Sequence, residues 1–160
     1  MEISEAVPED AEAIGRLHAL VHELHVNHLA WHFKTIVAQR LREIAKENIQ
    51  KDDTYSFVAR VDGKIVGYVI GVLRKLPESV FAKEYNYMYL DQIAVDPAFQ
   101  RKAVGRKLII ALTNCARQNG LDQVVLDTWE FNDKARCFFQ SMGFRRQMQR
   151  LALNLKDDTE

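Results

Sequence analysis

The 160-residue sequence predicts a mixed α/β domain built around one core. Three observations carry that prediction. Apolar residues Ile14, Leu17, Val21 and Leu24 recur at three- and four-residue spacing, the pattern of an amphipathic helix. Two β-rich runs in "TYSFVARVDGKIVGYVIGVL" flank Asp62-Gly63, a dipeptide that accepts the positive φ of a tight hairpin turn. Beyond that hairpin, strand-like and helix-like stretches alternate to the end of the chain.

Taken in order, "EISEAV" alternates as a short strand, and Pro8-Glu9-Asp10 supplies a proline and acids suited to a first helical turn. A second amphipathic stretch, Phe33 to Asn48, carries Ile36, Val37, Leu41 and Ile44, giving two helices or one broken helix. After the hairpin and the loop "LPESVFAKE", the run "YNYMYLDQIAV" reads as a strand. It is halted by Asp96-Pro97, because proline cannot donate to a ladder. A helix is predicted over Val104 to Gln118, ended by Asn119-Gly120, where glycine suits a left-handed C-cap. "DQVVLDTWE" reads as a strand, "NDKARCFFQSM" as a helix closed by Gly143, and "FRRQMQRLALNL" as a final strand. The order is β-α-α-β-β-β-α-β-α-β, with no repeat, low-complexity tract or linker, so residues 1–160 are expected to form a single domain.

Acidic and basic residues balance at 22 each, which removes any global field that would hold a polyanion or an anionic bilayer. No nucleic-acid or membrane partner is expected, and any anion site must be local. The N-terminus "MEISEAVPED" lacks a basic stretch followed by an apolar run, and no segment approaches the ~20 apolar residues of a membrane span. A cytoplasmic location is expected. Cys115 and Cys137 lie in helix-like sequence without CxxC spacing, which predicts two buried thiols rather than a disulfide or a cysteine zinc site.

Chemistry concentrates in "QIAVDPAFQRKAVGRKLI", where a strand ends, a basic loop follows and a helix begins. The first N–H groups of a helix lack intrahelical partners, and the helix dipole favours negative charge there. Gln100, Arg101, Lys102 and Arg106 add donors and positive charge, while Ala103 and Gly105 keep the loop surface low enough for phosphates to reach the backbone. A diphosphate is the natural occupant. Taken alone, the segment serves equally well as an ordinary basic helix start.

Two blocks together resemble a known family, the GNAT superfamily of acetyl-CoA-dependent N-acetyltransferases, over Met1 to about Leu155. Its signature is a strand ending in V-x-P followed by Q/R-x-x-G-x-G/A at a helix start. Here these are Val95-Asp96-Pro97 and Gln100-Arg101-Lys102-Ala103-Val104-Gly105. The second block, N-x-x-A-x-x-x-Y-x-x-x-G-F, is matched by "NDKARCFFQSMGF", with Asn132, Ala135, Gly143 and Phe144 in place. The resemblance implies the GNAT fold, a mixed sheet splayed to hold acetyl-CoA and flanked by about four helices. It implies that the backbone of Ile93, Ala94 and Val95 bonds the pantetheine arm like an added strand. The pyrophosphate would be cradled by Gln100, Arg101, Lys102, Ala103, Val104, Gly105 and Arg106. Asn132 and Ala135 would lie by the lower cofactor arm, Lys134 and Arg136 near its phosphates, and Phe139 close to the sulfur. A Rossmann site is the rival for a strand-loop-helix phosphate motif, but its three glycines and following acidic residue are absent.

Two departures from the family pattern have physical content. Ala103 replaces the first signature glycine, at a cost of roughly 1 kcal/mol or more if positive φ is required. Phe139 stands where many relatives carry a tyrosine proposed to protonate the departing thiolate. General acid catalysis is typically worth about 10² to 10⁴ in rate, yet a thiol of pKa near 8.5 can leave largely as thiolate. The substitution therefore leaves two readings. One is acetyl transfer to a primary amine by direct attack through a tetrahedral intermediate, and the other is a catalytically weak acyl-CoA-binding or regulatory module.

Transfer also needs the acceptor deprotonated, because an alkylammonium of pKa near 10 is only ~10⁻³ neutral at pH 7. The resemblance places such groups on the strand before the pyrophosphate loop, at Tyr89 and Asp91. Strand alternation puts both on one face with Tyr87. Asp91 is the preferred base and Tyr89 a positioning or relay group, with a structural role equally open to both. Trp129 ends a strand near the expected cleft and is a candidate acceptor contact.

All five histidines, His18, His22, His25, His28 and His32, fall in "RLHALVHELHVNHLAWHF". On one continuous helix they would share an arc of roughly 120°. The pairs His18/His22 and His28/His32 have zinc-compatible i,i+4 spacing but no accompanying third-ligand pattern, so no metal is expected. His18, His22 and His25 read as a helix flank. By resemblance, His28, Trp31, His32 and Phe33 fall where relatives form the acceptor wall. The expected partner is a small-molecule amine or a peptide or protein amine, and a homodimer is an open assembly state.

Overall fold

The computed structural model describes residues 1–155. Two compact units divide the chain, Met1–Asp127 and a second beginning at Thr128.

The first unit is a five-stranded sheet with helices on both faces. Its strands are β1 (Glu2–Glu5), β2 (Thr54–Val61), β3 (Lys64–Leu76), β4 (Tyr85–Val95) and β5 (Val124–Val125), in that spatial order. The first three pairings are antiparallel and β4–β5 is parallel. The β2–β3 hairpin turns on Asp62 and Gly63, at φ 49° and 75°, as the Asp-Gly dipeptide predicts.

A 3₁₀ turn at Pro8–Asp10 leads into helix α1 (Ala11–His28), and α2 (Ala38–Ile49) follows. Ile14 and Leu17 of α1 and Ala45 of α2 pack with Val58, Tyr68, Ile70 and Ala94 on one face of the sheet. Gly15 lets the two helices approach closely, since a Cβ there would lie 2.9 Å from the Arg42 backbone. The entry to α1 is tied down by Asp10, only 8% exposed. Its Oδ1 and Oδ2 accept from Arg60 Nη2 at 2.7 and 2.6 Å, and Oδ2 also accepts from the Val7 N–H at 3.0 Å.

Helix α3 (Val104–Gln118) covers the other face with Val104, Leu108, Leu112 and Ala116, a four-residue repeat that forms one buried stripe. It lies so close that a Cβ on Gly71 would meet Leu112 at 2.5 Å and Met88 sulfur at 2.8 Å. Gly120, at φ 69°, follows the C-cap.

In the second unit, α4 (Asp133–Ser141) is capped by Asn132, whose Oδ1 accepts from Ala135 N–H at 3.2 Å. Phe139 is 7% exposed and packs edge-on against Phe144 at 5.5 Å and beside Phe138 at 5.3 Å.

Several expectations are corrected. The second helix begins at Ala38, not Phe33, and "DQVVLDTWE" is strand only at Val124–Val125. The expected last strand, "FRRQMQRLALNL", is not strand within the described residues. Met148, Leu151, Leu153 and Leu155 are exposed there, and strand-like alternation without a ladder partner does not make a strand. Cys115 is buried as expected, but Cys137 is exposed.

Candidate active site

The pairing of β4 creates the opening. On its β3 side the strand is paired from Tyr85 to Val95, but β5 pairs with it only at Met88 and Tyr89. From Leu90 to Val95, no described strand covers the β5 side of β4. That edge includes Ile93, Ala94 and Val95, and it can accept an extended, amide-bearing ligand as a further strand would be accepted.

A β-bulge sits at the same place. Gly71 faces Leu90 and Ile70 faces Gln92, which leaves Asp91 as an extra residue. Simple alternation would put Tyr87, Tyr89 and Asp91 on one face, whereas after the bulge Gln92 and Ala94 continue the face of Tyr87 and Tyr89. Gln92 Nε2 donates to Asp91 Oδ2 at 3.1 Å, and its Oε1 accepts from Tyr68 Oη–H at 3.1 Å. Tyr89 Oη–H donates to Asp127 Oδ2 at 3.2 Å, with the Arg74 guanidinium 5.7 Å from its ring centre. Partial burial, with the nearby Asp127, pushes the Tyr89 phenol up to about 12, so it is a donor at working pH and not a base. Tyr87 stacks on Tyr85 at 5.0 Å.

Where β4 ends, the backbone curls into a left-handed loop before α3. Arg101 and Ala103 both take left-handed backbone, at φ 59° and 61°, a conformation that turns successive N–H groups into a concave nest. Ala103 is the N-cap of α3 yet gives no side-chain cap, and no acid lies in the first turn, an arrangement whose helix-start N–H groups can receive an anion. Lys102 Nζ lies 5.1 Å from the Phe99 ring centre, and Arg106 is exposed, while Val104 is buried and Gly105 half-buried. Gln100 Nε2 donates back to the Val95 carbonyl at 3.3 Å. Asp96 caps the intervening turn through Ala98 N–H at 3.0 Å and pairs with Arg16 of α1 at 3.6 Å. The loop is thus held from both sides.

Helix α1 stops at His28, so the five histidines do not lie on one helical arc. His22, His25 and His32 surround Phe33, with ring centres 6.1, 5.2 and 4.8 Å from it. Trp31 packs on His32 at 5.2 Å and is 79% exposed. The Nδ1 of His28 lies 2.9 Å from the Leu24 carbonyl on its own helix. His18 turns inward: its Nδ1 is buried without a hydrogen-bond partner, and Asp91 of β4 acts on its charge.

In the second unit, Asn132 is spent on capping α4. Arg136 is held by Glu130 at 2.5 Å and by Asp133, which offsets the charge that would serve a phosphate. Lys134 and Ala135 lie in the first turn of α4, and Trp129 is exposed. Asp127, Gln92 and His18 join the candidate site through these contacts and were not singled out for it by the sequence. No spacing rule marks them, because the β4–β5 pairing, the bulge and the packing of α1 bring them in.

A groove of about 450 Å³ lies between β1 and α3, lined by Glu5, Phe57, Lys107 and Cys115 among others. It is on the sheet edge opposite to β5. No helix among the described residues is long and apolar enough to cross a membrane.

Residues 19–144 match the acetyltransferase (GNAT) family. Human N-acetyltransferase 8 is 27% identical over 109 residues, 68% of this chain and 46% of that protein. The N-alpha-acetyltransferase RimI of Mycobacterium tuberculosis is 36% identical over 88 residues, 55% of this chain and 50% of that protein. The chain thus spans about half the length of these curated relatives. A variant of the BH1408 protein of Bacillus halodurans superposes with TM-score 0.89 at 28% identity, over 97% of this chain and 99% of that one. The aminoglycoside N-acetyltransferase AAC(6')-Iy in complex with CoA shares the fold, with TM-score 0.77 at 20% identity over 96% and 93% of the two chains.

Proposed function

The chain belongs to the acetyltransferase (GNAT) family, and from that premise we propose that it moves the acetyl group of acetyl-CoA to a primary amine. The observation that carries this reading is the open edge of β4 from Leu90 to Val95, running directly into the left-handed cradle at Arg101 and Ala103. An edge that bonds amides, followed by a nest that bonds phosphates, matches the order of groups along pantetheine and pyrophosphate. The CoA held by the structural relative AAC(6')-Iy supports the same ligand class.

In this reading Ile93, Ala94 and Val95 bind the pantetheine arm through their backbone. Gln100 through Arg106 bind the diphosphate, with Arg101, Lys102 and Arg106 supplying charge. The thioester then lies near the bulge, where N–H groups of β4 stabilise the oxyanion of a tetrahedral intermediate. Asp91 and Tyr89 face the amine side, the first supplying negative charge and the second a fixed donor. His28, Trp31, His32, Phe33 and Tyr87 are proposed as the acceptor wall. The acceptor is a small-molecule amine or a peptide or protein amine.

The test is release of free thiol from acetyl-CoA in the presence of an amine library, with acetyl-CoA binding measured by calorimetry. Turnover on at least one amine is expected. Tight CoA binding with no turnover on any amine would instead leave the chain as an acyl-CoA-binding module.

A further inference from the structure

Two buried side-chain atoms on or beside β4, Asn86 Oδ1 and His18 Nδ1, have no hydrogen-bond partner, and the second belongs to an imidazole. The neighbouring rings have theirs: His22 Nε2 lies 2.6 Å from the Lys34 carbonyl and His25 Nδ1 2.7 Å from the Val21 carbonyl. His18 is half-buried on α1, next to Leu17 and one turn beyond Ile14, which pack with Ile70 and Ala94 beside the bulge, and two residues beyond Arg16, whose partner Asp96 follows the end of the same strand. Asp91, the bulged residue, faces it electrostatically and is itself oriented by Gln92. From His18 a run of rings leads outward through His22 at 6.1 Å to Phe33, His32 and exposed Trp31.

We propose that His18 is the proton acceptor of the transfer reaction, taking a proton from the acceptor ammonium through water at the β4 bulge, with Asp91 stabilising the imidazolium so formed. This rests on the acetyl-transfer reading above. Chemistry favours the imidazole over the carboxylate. An imidazole holds a proton more tightly than a carboxylate and still gives it up near neutral pH, which suits it to take the proton of an ammonium. The proton balance is closed. The ammonium gives one proton to His18, and the amine lone pair forms the C–N bond. The C–S bond breaks with its electron pair going to sulfur, the second nitrogen proton ends on the thiolate, and His18 returns its proton to water.

The groups acting on His18 are His22 and His25 of its own helix and Asp91 of β4. From β3, the Tyr68 phenol bears on Asp91. Burial, His22 and His25 lower the imidazole and Asp91 raises it, with a net shift below the ordinary value. The ring is therefore neutral and able to accept at neutral pH.

The experiment is the pH dependence of kcat/KM for amine acetylation in wild type, His18→Gln, His18→Asn and Asp91→Asn, with acetyl-CoA affinity as the check on folding. In wild type an inflection below 6.5 is expected on top of the rise due to the amine itself. Both His18 variants should lose that inflection and fall about 10²-fold, in line with general-base catalysis, while keeping acetyl-CoA affinity. Asp91→Asn should keep the inflection and move it to lower pH, because the group that raises the imidazole is gone. Folded His18 variants with wild-type rate and profile would overturn the assignment, as would loss of the inflection in Asp91→Asn alone. If the His18 variants do not fold, the Asp91→Asn shift and the titration of the wild-type His18 ring by NMR decide, and a ring titrating at or above 6.5 overturns it. A wild type that acetylates no amine is a different failure, because it refutes the transfer reading itself.

Discussion

Tyr89 donates its hydroxyl to Asp127 at 3.2 Å at the last residue of β4 that is paired with β5. The bond acts as a rivet at the fork: below it the strands are laddered, and beyond it β4 presents an open edge. Removing the hydroxyl should loosen the fork without unmaking the sheet. Tyr89→Phe is expected to lower acetyl-CoA affinity by a few fold, in line with about 1 kcal/mol for one hydrogen bond, measured by calorimetry. An unchanged affinity would mean that the fork is held by the backbone alone.

The same phenol makes a prediction about alkaline stability. Its folded pKa is raised from 10 to about 12, chiefly by burial and then by Asp127. Burial raises Tyr68 as well. Between pH 10 and 12 the unfolded chain has lost these protons while the folded chain keeps them. The slope of stability with pH is then negative, so the contribution is present below 10 and is lost as pH climbs towards 12. Urea midpoints across that range should fall for wild type and fall less for Tyr89→Phe. Ultraviolet titration should show Tyr68 and Tyr89 ionising late.

Ala103 at φ 61° is a departure from the family pattern with a measurable cost. Left-handed backbone penalises a Cβ by roughly 1–2 kcal/mol, and glycine gives some of that back through the entropy of the unfolded chain. Ala103→Gly is expected to raise stability by about 0.5–1 kcal/mol in denaturant melts and to keep or tighten acetyl-CoA binding. A destabilised variant would show that the loop conformation is not strained.

These cases also mark what the sequence could tell. The end of the helix Val104–Gln118 and the Asp62-Gly63 turn were legible because their signals are local: a glycine stop and a dipeptide tolerant of positive φ. The bulge was not, because nothing in "YLDQ" marks Asp91 as the extra residue until β3 supplies Gly71 and Ile70 as the partners of Leu90 and Gln92. His18 looked like a flank residue because helical spacing says which side of α1 it occupies but not what that side packs against. Its relation to Asp91 spans 73 positions, counted from 18 to 91, and belongs to the packing of α1 on β4. The Asp10–Arg60 pair, which fixes the start of that helix, was invisible for the same reason.

On the resemblance that sets Phe139 where relatives carry a tyrosine, its substitution tests whether a missing acid limits the proposed reaction. Its ring is buried against Phe138 and Phe144, so a tyrosine hydroxyl added there must find a partner or cost about 1–3 kcal/mol. Phe139→Tyr is expected to lower the melting temperature and to raise kcat by less than tenfold, because a thiol of pKa near 8.5 leaves largely unaided. A rise of about 10² or more would show that protonation of the thiolate had been rate-limiting.

Gly15 carries the sharpest steric prediction. A Cβ at this position would lie 2.9 Å from both the Cα and the nitrogen of Arg42, and those atoms belong to the backbone of α2, which cannot rotate away as a side chain can. Gly15→Ala gains helix propensity of roughly 1 kcal/mol in α1, yet it must push the two helices apart at their crossing. Overpacking of this kind costs about 1–3 kcal/mol, so a net loss is expected in denaturant melts. Displacing α1 also moves His18 relative to Asp91, three residues along the helix from the crossing point. The variant should therefore lose acetyl transfer more than acetyl-CoA affinity, because the proposed diphosphate loop at Arg101 to Arg106 leads into α3 on the opposite face. Equal losses in both would mean that α1 and α3 are coupled through the sheet, and a variant more stable than wild type would mean that the helices separate freely.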